Sequence, residues 1–315
     1  MPPSAEAPDD LEIGIVNTNN GVLLAGCLRS LNAACEGLRW RVTVLDNASS
    51  DGSAAMIERE FPWVHLVRNE HKVGYATTLN ELIRPAMDRG CRYLALLHED
   101  VVLDPGALAA IVRFCDANPR VGLAGPRVRD PGGQQQDSFL GFPGLWSEVA
   151  LSFILSARRP MATDSGWLDG PCLVIRPEAL RGVGLFDERF FIFFEDVDMS
   201  FRMHRSGWRV TQVDEAWLTH NRHSTTARTG VAGRMELQFL RSRFLYFQKH
   251  QGRVAAQLLV AAIRFSFLLR ALKAAGAAAW RHDASERLLS RQLAQMAAFR
   301  PDRPLPHEAA ALRGS

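Results

Sequence analysis

Several common signatures are missing from this chain of 315 residues, and each absence removes a class of protein. There is no C-x-x-C pair: Cys27, Cys35, Cys91, Cys115 and Cys172 stand singly. That disfavours a disulfide framework or a cysteine zinc site and fits reduced thiols in a cytosolic protein. Neither G-x-G-x-x-G nor G-x-x-x-x-G-K-[ST] occurs, so a dinucleotide fingerprint and a P-loop are both excluded. The formal net charge of +3 is too small to imply nucleic acid. No uninterrupted apolar run reaches the ~18 residues of a membrane span. The opening MPPSAEAPDDLE is polar and acidic with no apolar core, so no signal peptide is expected and residues 1–10 are expected to be disordered.

What is present alternates strand and helix. Ile13–Val16, Arg41–Leu45, Val64–Arg68, Tyr93–Leu97 and Val121–Pro126 read as strands, Tyr93–Leu97 as a fully buried one. Helical faces lie between them over Val22–Leu31, Ala54–Phe61, Thr77–Arg89 and Ala107–Ala117. This is the pattern of an α/β nucleotide-binding half, with a sheet whose strand ends carry the ligand. The most informative strand end is YLALLHEDVVLDP, Tyr93–Pro105, where an apolar run stops at His98, Glu99 and Asp100. Two carboxylates and an imidazole at the end of a buried strand are expensive to leave unpaired. They hold a metal, and through it a phosphate, or they form a solvated turn; both accounts stand on this stretch alone. Asp104-Pro105 reads as an N-cap followed by a helix-starting proline.

Asp46–Ser53 (DNASSDGS) closes the second strand. It suits a ribose or base edge, or an Asx-type turn capping the next helix, and the two are compatible. Gly74 would let backbone approach a ligand closely. Residues 127–162 read as a long functional loop. Beyond them, Pro171–Arg176 is strand-like, Pro177–Arg181 a short helix, and Trp208–Val213 a strand. Phe190–Phe194 leads into Glu195-Asp196-Val197-Asp198, where three acids either complement a helix macrodipole or supply a general base.

Together these motifs resemble the inverting nucleotide-sugar transferases of glycosyltransferase family 2, which have the GT-A fold, and within them the bacterial rhamnosyltransferase branch. The resemblance spans Ile13–Ser224. It rests on Val16-Asn17-Thr18-Asn19, on the D-N-x-S-x-D-G-S of Asp46–Ser53, and on Gly74-Tyr75-Ala76 with Asn80. It continues through Gly170–Arg176, Gly184–Glu188 and Phe193–Asp198.

The resemblance implies a Rossmann-like nucleotide-binding half with a central mixed sheet at about 11–126 and an acceptor half at about 127–233. C-terminal helices over 234–300 and a loose tail, 301–315, follow. It assigns donor binding to Thr18, Asn19, Asp46, Gly74, Tyr75, Asn80 and Glu99. Glu99, beside Asp100 on a strand end, is expected to face the opposite way. Asp100 and His220 are the implied metal ligands, with His98 a third where the family has Asp or Asn. An imidazole there either tilts the choice between Mn2+ and Mg2+ toward manganese, or points at the ribose or at nothing. Asp196 is the implied base, while Glu195 and Asp198 orient the acceptor or cap the helix, and Trp167 and Asp169 line the acceptor side. His223 reads as a surface histidine, and Asp187 and Glu188 as solvated.

The implied reaction is metal-dependent transfer, with inversion, from a dTDP- or UDP-sugar. The sugar is rhamnose by the habit of the branch, and the acceptor is a glycan, lipid-linked or small-molecule hydroxyl. A catalytically degenerate GT-A scaffold is the alternative suggested by His98, although such a protein has no reason to keep Asp46, Asp100, Asp196 and His220 together. A nucleotidyltransferase would want a glycine- and arginine-rich triphosphate loop after the first strand, and Asn17–Gly21 is not one. Finally, residues 235–280 read as helix broken near Gly252. Within them Val254–Leu272 carries one apolar face and is interrupted by Arg264, Arg270 and Lys273. Packing or homodimerisation competes there with contact at the inner face of a membrane, so the protein is expected to be cytoplasmic or peripheral.

Overall fold

The computed structural model describes residues 10–153, 165–221, 232–281, 293–294 and 296–311. Strands β1 (Leu11–Asn17), β2 (Trp40–Asn47), β3 (His65–Asn69) and β4 (Tyr93–His98) alternate with helices α1 (Gly21–Ala34), α2 (Ser53–Glu60) and α3 (Tyr75–Arg89). Strand β5 (Val101–Leu103), helix α4 (Ala107–Ala117) and strands β6 (Val121–Arg129), β7 (Gln135–Gln136) and β8 (Phe139–Leu140) follow. Next come α5 (Leu145–Phe153), β9 (Trp167–Leu168), β10 (Cys172–Ile175), α6 (Pro177–Val183), α7 (Glu195–Arg205) and β11 (Arg209–His220). Helices α8 (Ala232–His250), α9 (Gly252–Arg281) and α10 (Pro306–Ala311) close the described chain.

The main sheet runs β3-β2-β1-β4-β10-β6-β11-β5, with β7 on the side of β6. The first four strands are parallel, and β10 inserts antiparallel between β4 and β6. The sheet is therefore mixed. The chain reverses direction of winding between β1 and β4, so their carboxyl ends, Asn17 and His98, border the crevice where open α/β sheets bind ligands.

The continuous apolar runs are explained by burial on both faces. Ala95 and Leu97 join the core under α1 and α4, while Leu94 and Leu96 join the one under α3 and α7. A third cluster, with Trp167, Phe190, Phe194 and Val197 against Phe244, Tyr246 and Phe247, fastens α8 to β9, α7 and the segment before α7.

Five expectations are corrected. Helix α4 is capped by Gly106 in the left-handed region (φ 73°) rather than by Asp104, whose carboxylate is engaged by Arg129. The long loop holds α5, and β11 continues past Val213 to His220 after an irregularity at Val213/Trp217 that hides its strand periodicity. The tail is not loose through 311: Glu308 is buried and bound by Arg241 and Gln238 of α8. Finally, the helix over Gly252–Gly276 is, by length and composition, apolar enough to cross a membrane, because its charges are spaced singly.

Candidate active site

Three strand ends build the crevice. Asn17 pairs in register with Asp46 across β1 and β2. Its Nδ2 donates to Asp46 Oδ1 (2.8 Å), Ser53 Oγ (2.8 Å) and Ser49 Oγ (3.1 Å). Asn19, in the left-handed region at φ 56°, donates its N–H to Ser49 Oγ and accepts from the Ser50 N–H at 2.7 Å. The turns after β1 and β2 are thereby laced together, with Asp46 buried and Asn19 at the open rim. Thr18 is half-buried between them. Asn17 and Asn20 escaped the sequence reading; an asparagine in register with a strand-end aspartate on a parallel neighbour was the available signal.

At the end of β4, the Glu99-Asp100 turn swings the chain into β5, which pairs with the end of β11. That pairing sets His220 opposite Val101, and Asn221 donates twice to the Asp100 carbonyl. The side chains of His98, Asp100 and His220 converge, each offering a ligand atom within 4.8 Å of the others. Asp100 Oδ1 lies 3.2 Å from His220 Nε2, and His220 Nδ1 is buried without a hydrogen-bond partner. Burial would raise the Asp100 pKa, but His220, with help from His98, holds it below the ordinary carboxylate value. A compact His-Asp-His set with an anionic centre and an orphaned ring nitrogen fits a divalent transition metal.

Glu99 does not face away from this cluster. It accepts from Asn20 Nδ2 at 3.1 Å, and its pKa is pushed up to about 7 by burial, against the Asn20 hydrogen bond and with the Asp100 charge. Side-chain alternation holds inside a strand, and Glu99 lies in the turn after β4.

The segment around Gly170 and the start of α7 closes over the triad. The His98 N–H donates to the Pro171 carbonyl, and the Gly170 N–H donates to Asp196 Oδ2 at 3.0 Å. A Cβ on Gly170 would stand 3.3 Å from His98 Nε2 and 3.4 Å from Asp196 Oδ2, so only glycine leaves the space between them open. Val197 N–H holds the other Asp196 oxygen at 2.8 Å. Beside it Glu195 is buried, its Oε2 without a hydrogen-bond partner, and burial and then the Asp196 charge drive its pKa well up. Tyr75 stacks edge-on to His98 at 5.5 Å. Burial first, and the surrounding carboxylates second, raise its pKa. Trp167 is buried in the third core cluster with Nε1 unpartnered, and Asp169 is half-buried at the edge of β9.

A match to the family model described as "Glycosyl transferase family 2" covers residues 12–176. The chain belongs to that family. Along its length it resembles the N-acetylglucosaminyl-diphospho-decaprenol L-rhamnosyltransferase of Mycobacterium tuberculosis, with 31% identity over 242 residues, 70% of this chain and 78% of the relative. An O-antigen biosynthesis protein of Myxococcus xanthus is 27% identical over 203 residues, 60% of this chain and 15% of its own. Among solved structures, a mannosyltransferase of Pyrobaculum calidifontis in complex with GDP-Man and Mn2+ superposes with a TM-score of 0.55 at 15% identity, covering 98% of this chain and 85% of that one. The S. aureus TarS fragment with UDP-GlcNAc gives 0.53 at 12% identity, covering 90% and 79%. The fold is GT-A, and the protein is a glycosyltransferase.

Within this glycosyltransferase, three residues assigned to ligands are committed to the fold instead. Asn80 is buried, and its amide bonds the Phe186 backbone on both sides and Glu188. Gly74 does admit a close backbone approach, but the backbone is that of Phe191, whose Cα would lie 3.2 Å from an added Cβ. Asp198 is 0% exposed and bound by Arg202, Lys249 and His250; two residues beyond Asp196, it points to the other side of α7. Asp187 is also no solvated acid: against the cost of its burial, Arg189 and Lys249 hold its pKa far down. Glu188, by contrast, is exposed as expected, and His223 lies outside the described residues.

Proposed function

We propose that this enzyme moves a hexosyl residue, rhamnose by analogy with the mycobacterial relative, from a nucleoside diphosphate sugar to a hydroxyl of a lipid-linked glycan, with inversion. The observation that carries the reading is the placement of Asp196 across Gly170 from the His98–Asp100–His220 set, at the crevice that Asp46 also borders. Asp46, braced by Asn17, Ser49 and Ser53, presents a fixed acceptor to the donor's base or ribose. His98, Asp100 and His220 would hold Mn2+ or Mg2+, which when bound supplies positive charge against a diphosphate. The acceptor oxygen bonds to the anomeric carbon while the bond from that carbon to the diphosphate oxygen breaks. The hydroxyl proton passes to Asp196, and the electron pair leaves with the diphosphate. Glu195, buried and biased toward its neutral form, adds no second negative charge beside that base. The scaffold alternative loses its motive, since His98 lies within the ligand set.

Melting temperatures across nucleoside diphosphates, with and without Mn2+, test this reading. A dTDP or UDP shift that manganese enlarges is expected from linkage, about 2.7 kcal/mol of stabilisation at a ligand concentration 100 times Kd. If no nucleoside diphosphate moves the transition in either condition, the donor assignment fails.

The acceptor's lipid gives the apolar face of α9 a role. Val254, Leu258, Phe265, Leu268, Leu269 and Leu272 are exposed, while Leu259, Ile263 and Ser266 face inward. Phe153 of α5, also exposed, meets Phe265 at 6.2 Å. Helix α9 contains no aspartate or glutamate and carries Arg253, Arg264, Arg270, Lys273 and Arg281. That combination suits an anionic membrane surface, with the protein peripheral at its cytoplasmic face. Flotation with anionic liposomes is expected for the intact chain and is expected to fail for Leu258→Ser/Phe265→Ser/Leu272→Ser. A protein that ignores liposomes and runs as a dimer by light scattering would assign the face to a second copy instead.

A further inference from the structure

We infer that Lys249 and His250 of α8 are positioning residues for Asp196, so that the C-terminal helices, beyond the stretch matched by the family model, complete the catalytic carboxylate's geometry. This rests on the reading of Asp196 as the base.

Asp196 is at the start of α7, entered through two consecutive phenylalanines in the left-handed region, Phe193 (φ 69°) and Phe194 (φ 66°). Bulky residues leave that conformation unless surrounding structure over-determines it. Phe194, in that conformation, is the residue that caps α7. Helix α8 supplies the constraint from both sides of Asp196. On the N-terminal side, Ser242 Oγ donates to the Ile192 carbonyl at 2.8 Å, and Phe239 packs edge-on against Phe193 (5.7 Å) and Phe194 (5.3 Å). His307 of α10 meets Phe191 at 5.0 Å.

On the C-terminal side, Asp198 Oδ1 receives Lys249 Nζ at 2.6 Å and His250 Nε2 at 2.7 Å. Lys249 also reaches Asp187 Oδ2 at 2.7 Å, tying the turn before Phe190 to the same point. The first turn of α7 is thus held at Asp198 while its entry is held at Ile192–Phe194. The Asp196 carboxylate between them stays where Gly170 and Val197 N–H groups reach it. Releasing the Asp198 contact lets the strained entry relax and rotates the carboxylate away from the acceptor, a displacement that need not disturb Asp46 or the His-Asp-His set. Small misplacements of a reacting group are costly in rate.

Steady-state kinetics of the full-length Lys249→Met and Lys249→Arg enzymes test the inference. For Lys249→Met, kcat is expected to fall about tenfold, while donor KM stays within about twofold of wild type. The manganese-dependent thermal shift with nucleoside diphosphate is expected to persist, and Lys249→Arg to recover most of the turnover. In an Asp196→Asn background, Lys249→Met is expected to cost nothing further, since it acts through that carboxylate. If Lys249→Met folds poorly, His250→Leu carries the same comparison. Wild-type kcat in folded Lys249→Met and His250→Leu, parallel loss of kcat and donor affinity, or an undiminished effect in the Asp196→Asn background would each overturn the positioning role. Wild-type kcat for Asp196→Asn alone would instead sink the base assignment on which it rests.

Discussion

Asp100→Ala is expected to abolish the divalent-dependent part of nucleoside diphosphate binding. Asp100 is the only carboxylate of the converging His98–Asp100–His220 set. Although buried, it is held in its anionic form by the adjacent imidazoles, chiefly His220. Removing it leaves two imidazoles and no negative charge to offset a dication. Loss of groups that merely orient a ligand typically costs 10–100-fold in metal affinity. Removal of the anionic ligand itself is expected to cost at least on the order of 10²-fold. Calorimetric titration with Mn2+, in the presence and absence of the diphosphate, reads this directly and needs no turnover. His98→Asp is expected to keep binding and to move preference from manganese toward magnesium, because a carboxylate is the harder ligand. Equal Mn2+-dependent diphosphate binding by Asp100→Ala and wild type would show that the three side chains hold no metal between them.

Much of the α/β framework was visible in the sequence because its central strands β1, β2 and β4 are buried on both faces, while β3 is an exposed edge strand. Runs such as Tyr93–Leu97 and Arg41–Leu45 need no partner to be recognised, and β1 to β4 fall close to their expected bounds. β11 was read short because its irregularity between Val213 and Trp217 breaks the period, yet that extension carries His220 to Asp100. Pattern matching was least able to separate residues that meet a ligand from residues that hold the site together. Asn80 and Asp198 belong to the same motifs as Tyr75 and Asp196, but the first pair is buried in hydrogen bonds to Phe186 and to Lys249 and His250. Nothing local in either motif encodes those partners, which lie 106 residues away for Asn80 and 52 for the His250–Asp198 pair. The docking of α10 was illegible for the same reason: Glu308 is a polar residue in a short terminal stretch until Gln238 and Arg241 meet it.

The second large effect is expected at the base. Asp196→Asn keeps the shape of the side chain and its acceptor oxygen for one of the Gly170 and Val197 N–H groups, while removing basicity. An inverting displacement needs a proton acceptor on the side of the anomeric carbon away from the diphosphate, and the other carboxylates near the crevice are otherwise engaged. Asp46 is held by Asn17 and Ser49, Asp100 by His220, and Asp198 by Arg202, Lys249 and His250. Glu99 is bonded to Asn20 at the β1 side, across the crevice from α7. On α7, Glu195 is the remaining candidate, and its burial beside the Asp196 charge favours the protonated form, which cannot accept the acceptor's proton. Turnover of Asp196→Asn is therefore expected to fall by ~10²-fold or more, the size of a lost general base. Donor affinity and its manganese dependence should barely change, because no donor contact is altered. Single-turnover transfer together with donor titration separates the two quantities. An Asp196→Asn enzyme that turns over near the wild-type rate would transfer the role to Glu195 or require a mechanism without a protein base, and Glu195→Gln in the same assay would distinguish those two.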